Sequence, residues 1–193
     1  AAKASGIPAD RILVSAVHSH SAPSVMGALG TGVQEDYVPV LRDGIVKSIV
    51  QASRNLAPAR VGWTVADAGR HTHCRRWILR PDRLGTDPFG QRNVRAMMHP
   101  GYQSPHHVGP SGPVDPDLTL LSVQSPDGRP IAVLANFSMH YVGAGAVSSD
   151  YYGIFCDRLA RRTGTGTGEP PFFALLSQGT SGDLHWMDYG RPR

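Results

Sequence analysis

The residues able to do chemistry gather at a few places in the chain. The first is Val14-Ser-Ala-Val-His18-Ser-His20-Ser-Ala-Pro23, which sets two histidines one residue apart behind a short apolar run. Imidazole is the commonest metal ligand and also titrates near neutrality, so the pair suits a metal site or acid–base work, and its spacing alone permits both. A third histidine closes Val133-Leu-Ala-Asn-Phe-Ser-Met-His140 and is a candidate to pair with His18 as a metal ligand. A catalytic zinc takes about three protein ligands and leaves one position for water, and Asp150 and Asp183 are the nearest carboxylates in sequence. Asp150 reads equally as the N-cap of the helix after it. Gly179-Thr-Ser-Gly182, ahead of Asp183-Leu-His185, reads as a tight turn needing positive φ, and such a turn aims backbone N–H groups at a ligand.

The elements that must carry these residues are set by local pattern. Arg11–Val17 is short, β-branched and apolar, and reads as a buried strand, which would bring His18 and His20 out on one face where it frays. Val38, Leu41, Ile45, Ile49, Ala52 and Leu56 recur at three and four, giving a helix led in by Glu35-Asp36 and ended by Ala57-Pro58. Arg60–Ala66 is the next strand. Residues 67–117 hold no period and read as one long irregular segment, of the kind that forms a lid. Leu118–Val123 and Ile131–Phe137 are strands joined across Ser125-Pro-Asp-Gly128, a hairpin turn. Tyr151–Arg162 is a short amphipathic helix and Phe172–Ser177 a last strand. The expected fold is α/β, with mixed β-sheet flanked by helices. Residues 1–193 form part of one domain with no internal linker. Three strands then end in polar, reactive residues, and in α/β sheets sites collect at strand ends.

Composition sets outer bounds. The chain is 40% hydrophobic and 18% charged, which suits a packed core rather than disorder. The net charge of +4 is spread over scattered arginines with no interleaved aromatics, so no nucleic-acid surface is expected. No apolar run approaches the ~20 residues of a membrane span. Two cysteines, Cys74 and Cys156, make no disulfide framework and leave the compartment open. The chain opens on Ala-Ala-Lys3 almost directly before the first strand, so an internal piece of a longer protein is expected.

Four motifs in order, His18-Ser-His-Ser-Ala-Pro23, Ala135-Asn-Phe-Ser-Met-His140, Ser149-Asp-Tyr-Tyr-Gly153 and Gln178-Gly-Thr-Ser-Gly-Asp183, resemble the neutral/alkaline non-lysosomal ceramidase family. Val114-Asp-Pro-Asp117 resembles its bacterial members. The resemblance spans nearly the whole chain and implies a zinc-dependent amidohydrolase acting on an amphiphilic, ceramide-like lipid, with contact to a membrane surface and a secreted or periplasmic setting. It implies that His18 and His140 bind Zn²⁺ and that His20 lies at the substrate. It puts Arg75, within Cys74-Arg75-Arg76, at the substrate oxygen, with Arg70 as the fallback, and places Gly182 and Asp183 in the substrate loop. It also implies that the remaining zinc ligands, a glutamate and a tyrosine, lie beyond residue 193, so this piece alone is expected to be inactive.

Two positions depart from the family pattern. Ala22 replaces a glycine, and His185 stands where the ceramidases carry a serine. A metal-activated water survives the loss of that serine, whereas ceramide specificity depends on it, and His185 becomes a catalytic candidate in its own right. The competing readings are a metal-dependent hydrolase of another amide or ester, and a binding domain that kept the fold without the chemistry. No Gly-x-Ser-x-Gly elbow supports a serine hydrolase. His71, His73, His106 and His107 read as ordinary loop histidines. The sequence is silent on oligomeric state.

Overall fold

The computed structural model describes residues 1–163 and 171–193. In chain order the elements are α1 (Ala2–Ser5), α2 (Tyr37–Arg54), β1 (Arg60–Asp67), β2 (His73–Cys74), β3 (Arg76–Leu79), β4 (Ala96–Met98), β5 (His107–Pro110), β6 (Asp117–Gln124), β7 (Pro130–Phe137), α3 (Asp150–Arg162), β8 (Phe173–Gln178) and β9 (Leu184–His185). The main sheet has the order β1-β6-β7-β8. β1, β6 and β7 pair antiparallel, and β7 and β8 pair parallel, so the sheet is mixed as expected. The hairpin closes at Ser125, whose N–H reaches the Arg129 carbonyl at 2.9 Å while Gly128 N–H returns to the Ser125 carbonyl at 2.9 Å. Parallel neighbours cannot be joined by a tight turn, and α3 lies on the crossover from β7 to β8.

The alternation of Ala135-Asn-Phe-Ser-Met-His-Tyr141 organises the interior. Odd positions enter the core, where Ala135, Phe137, Met139 and Tyr141 pack with Tyr152 of α3 and Leu176 of β8. Even positions face the other way. Asn136 donates to Ser177 Oγ at 2.9 Å, Ser138 donates to Asp115 Oδ2 at 2.6 Å, and His140 is the next residue on that side. On that same face the row Trp63–Leu121–Leu134–Leu175 runs across all four strands and stays open, with Trp63 80% exposed.

Two of the expected elements are corrected. Arg11–Val17 is not a strand. A strand exists by pairing, and no strand among the described residues lies beside it; Leu13 is 92% exposed, and only Val17 packs against the core. Residues 67–117 are not one irregular loop. They contain a three-stranded sheet, β4-β3-β5, and the strand β2, which pairs with β9. Strands of two to four residues are too short for a period of two to register in sequence. No helix among the described residues is long and apolar enough to cross a membrane.

Two glycines of the motifs are explained by space. A Cβ on Gly153 would sit 2.0 Å from Ser149 Oγ, which ties the first and last residues of Ser149-Asp-Tyr-Tyr-Gly153 together. A Cβ on Gly179 would sit 2.3 Å from Ser138 Oγ. The positive φ expected for the Gly179–Gly182 turn is not found at either glycine.

Candidate metal centre

His18, His20 and His140 converge. Their potential ligand nitrogens all lie within 4.8 Å of one another, and they are the one such group of three among the described residues. Ring centroids are 4.9 Å apart for His18–His20, 4.7 Å for His18–His140 and 5.0 Å for His20–His140. The convergence does not come from strand alternation. His18 has φ +57°, a left-handed conformation rare for a side-chain-bearing residue, and this kink turns the segment toward His140. Ser21 anchors the chain just past the kink. Its hydroxyl meets Tyr141 Oη at 2.6 Å, and the Tyr141 hydroxyl donates to the Ser148 carbonyl at 2.8 Å.

His140 is the rigid member. It is buried at the end of β7, its backbone N–H donates to the Leu184 carbonyl at 3.2 Å, and its Nδ1 lies 3.1 Å from the Ser181 carbonyl. A carbonyl only accepts, so Nδ1 carries the proton and Nε2 keeps its lone pair. That is the tautomer a metal requires, held by a partner of the kind that usually orients ligating histidines. Burial, first, and the nearby Arg75 and histidines lower the His140 pKa, against the raising effect of its bond to Ser181. The His20 pKa is lowered by burial, then by His18 and Arg75. Neutral imidazoles are the metal-binding form. The donor chemistry therefore fits a zinc ion, with the nitrogens in a slightly open arrangement compared with the roughly 2.0–2.1 Å zinc–nitrogen bonds of a closed site.

Arg75 reaches this centre and Arg70 does not. The Arg75 guanidinium donates to the Gly182 carbonyl from Nε at 3.2 Å and Nη2 at 2.7 Å, and its backbone N–H donates to the Asp183 carbonyl at 2.8 Å. Arg70 is exposed and donates to His71 Nε2 at 2.9 Å. The Gly182–Asp183 loop thus positions the arginine through its carbonyls. Asp150 is occupied elsewhere. Its carboxylate accepts the Tyr151 N–H at 2.6 Å and the Gly143 N–H at 2.9 Å, so it ties the 141–149 loop to the start of α3 as a capping group. Ser149 takes the N-cap position itself.

His185 is 5% exposed and lies against His99, with ring centroids 5.2 Å apart. Its Nδ1 accepts the Met187 N–H at 3.3 Å, so the ring proton of the neutral form is on Nε2. Burial, first, with His99, Arg75 and His140 behind it, pulls the His185 pKa down to about 4. His99, itself at φ +56°, hydrogen-bonds the Tyr189 hydroxyl through Nδ1. Neither His99 nor Tyr189 was anticipated from sequence. One lies inside the stretch without periodicity and the other in the tail after the last motif, and no spacing signal connects them. Of the remaining histidines, His73 sits in β2 opposite His185, His107 bonds Ser104 Oγ at 3.0 Å, and His106 is exposed. Cys74 and Cys156 are free thiols.

The His185 shift has a sign that can be measured. In the unfolded chain the ring titrates near 6.5, so between about pH 6.5 and 4 the unfolded state holds the extra proton. For the chelator-treated protein, the contribution of His185 to stability is complete above about pH 6.5. It falls by about 3 kcal/mol as the pH drops toward 4. Denaturant titrations at stepped pH should show this slope, and a His185→Asn variant should flatten it.

No family model matches the chain. Two curated proteins of Dictyostelium discoideum do. Neutral ceramidase A is 23% identical over 188 residues, covering 91% of this chain and 24% of its own length. Neutral ceramidase B is 24% identical over 186 residues, covering 90% and 23%. The solved neutral ceramidase of Pseudomonas aeruginosa superposes with a TM-score of 0.51 at 19% identity, over 80% of this chain and 21% of that one. A solved ceramidase complexed with C2 gives 0.54 at 20% identity, over the same shares. In sequence and in fold the chain is similar to these neutral ceramidases. It spans about a quarter of the length of the curated neutral ceramidases it matches.

Proposed function

We propose that this chain is the histidine-bearing part of a zinc-dependent hydrolase that cleaves the amide bond of a ceramide-like lipid. The observation that carries the reading is the convergence of His18, His20 and His140 with the Arg75 guanidinium beside them. Zinc bound there would supply Lewis acidity and a water that ionises near neutral pH. His18 and His140 would hold the ion, with His140 fixed by the Ser181 carbonyl and so presenting Nε2 without reorganisation.

The other groups serve the substrate. Arg75 spends two of its five N–H groups on Gly182 and keeps three to donate to the carbonyl oxygen as negative charge builds on it. His20, neutral near pH 7, accepts a proton at its free nitrogen and returns it to the departing amine. His185 stays neutral and offers Nε2–H as a permanent donor, where a serine hydroxyl would have offered a rotatable one.

That last residue also supports a second reading, a metal-dependent hydrolase of a different amide or ester. A planar imidazole is larger than a serine side chain and donates in one fixed direction. The natural protein carrying this chain should be assayed on N-acyl sphingoid, simple N-acyl amide and ester substrates, with and without a chelator. Chelator-sensitive release of acyl chains from the sphingoid, reduced on the order of 100-fold by Arg75→Met, supports the ceramidase reading. Activity confined to the other substrates supports the second. Activity on the sphingoid untouched by both chelator and Arg75→Met overturns the site as drawn.

A further inference from the structure

On the opposite side of the main sheet from His140 lies a cavity of about 530 Å³, within the usual range for small-molecule sites. Its floor is the core face of the sheet, including Leu118, Phe137 and Leu176, and its wall is α3, including Phe155 and Leu159. These side chains are apolar, and no carboxylate among the described residues lines the cavity. Two of the lining residues are nevertheless arginines. Arg158 and Arg162 stand one helical turn apart on α3, both exposed, and neither is in an ion pair among the described residues. Other arginines of the chain show how readily the charge is otherwise matched. Arg42, Arg80, Arg83 and Arg191 each have an aspartate within reach.

An apolar trough beside two guanidinium groups that meet no carboxylate among the described residues has the polarity of a single-chain anionic amphiphile. We propose that this groove is a binding site for a long-chain fatty-acid carboxylate, separate from the histidine centre. The carboxylate is received by Arg158 and Arg162, whose fork geometry suits it, and the acyl tail lies along Phe155 and Leu159 over the sheet. Chain alternation keeps the two sites apart. Phe137 and Met139 line the groove, whereas Ser138 and His140 face the other side of the sheet. The inference needs neither zinc nor amidase activity. Under the proposed function, however, the ligand would also be a reaction product, and its binding next to the strand that carries His140 would report product level to the catalytic face.

The test uses the natural protein carrying this chain, stripped of metal by a chelator, with palmitate, octanoate and hexadecanol as probes in calorimetric titration. Palmitate should bind saturably at one site, and affinity should rise by about fourfold per added methylene from octanoate until the groove is filled. Arg158→Gln with Arg162→Gln should weaken palmitate on the order of tenfold or more and leave hexadecanol unchanged, while the double lysine variant, which keeps the charge and loses the fork, should fall between that variant and the wild type. Leu159→Trp, which fills the groove, should weaken both long-chain probes. Palmitate binding that ignores the double glutamine variant overturns the proposal, as does binding abolished by His140→Ala while the arginine variant is silent. The latter result would place the acid at the histidine centre. Failure of the amidase assay leaves these outcomes readable, because none depends on turnover.

Discussion

Substituting His140 by alanine should strip the natural protein of its metal. Zinc affinity is expected to fall by at least about 100-fold, and hydrolytic activity with it. The asymmetry of the centre is the reason. His18 and His20 are exposed and held on a kinked loop, whereas His140 is buried, bonded through its backbone to Leu184 and through Nδ1 to Ser181. It is the fixed point on which the other two close. His18→Ala should cost less, because a flexible neighbour remains within ligand distance in His20. Metal analysis with competition against a chromophoric chelator checks the order. Equal zinc content in the wild type and in His140→Ala would remove the metal centre from this part of the protein.

Gly179→Ala should be strongly destabilising, more so than Gly153→Ala, whose clash is with the exposed and freer Ser149. The added carbon would lie 2.3 Å from Ser138 Oγ and 3.0 Å from Asn136 Oδ1. Ser138 has no room to yield. It is fully buried, it donates to Asp115 at 2.6 Å, and it accepts the Thr180 N–H at 3.0 Å. Gly179 itself donates to the Phe137 carbonyl at 3.0 Å, so the backbone cannot retreat without breaking that bond. Overpacking costs about 1–3 kcal/mol, and an orphaned buried hydroxyl or amide adds about 1–3 kcal/mol more. A loss of about 3–5 kcal/mol is expected, a fall in Tm on the order of 10 °C for a chain of this size. Calorimetry would measure it. Ser138→Gly in the same chain should recover part of the loss by vacating the space, and no recovery would mean the strain lies elsewhere.

Much of the scaffold was legible because its signals are local. The hairpin turn, the two strands it joins and the amphipathic α3 each depend on residues within a dozen positions, and each lies within one or two residues of its expected bounds. His140 was legible as the polar end of the Val133–His140 stretch, where a strand leads into a loop. The short strands between residues 67 and 117 left no such trace, because two to four residues do not establish a period.

What tertiary structure alone decided concerns contacts between distant positions. Arg11–Val17 has the composition of a strand, but composition does not supply the neighbour that a ladder requires. The spacing of His18 and His20 announced a shared purpose, yet the left-handed turn at His18 rather than a pleat aims them at His140. Asp150 looked available as a ligand until its carboxylate proved to be committed to backbone N–H groups. Gly179 looked like a turn residue and Gly153 lay within an expected helix, and both are places where another side chain needs the volume of a Cβ. The sequence by itself nominated the candidate residues and the strand that leads to His140. The approach of loops more than a hundred residues apart decided which of those residues meet, because that depends on space and hydrogen-bond partners that no local pattern encodes.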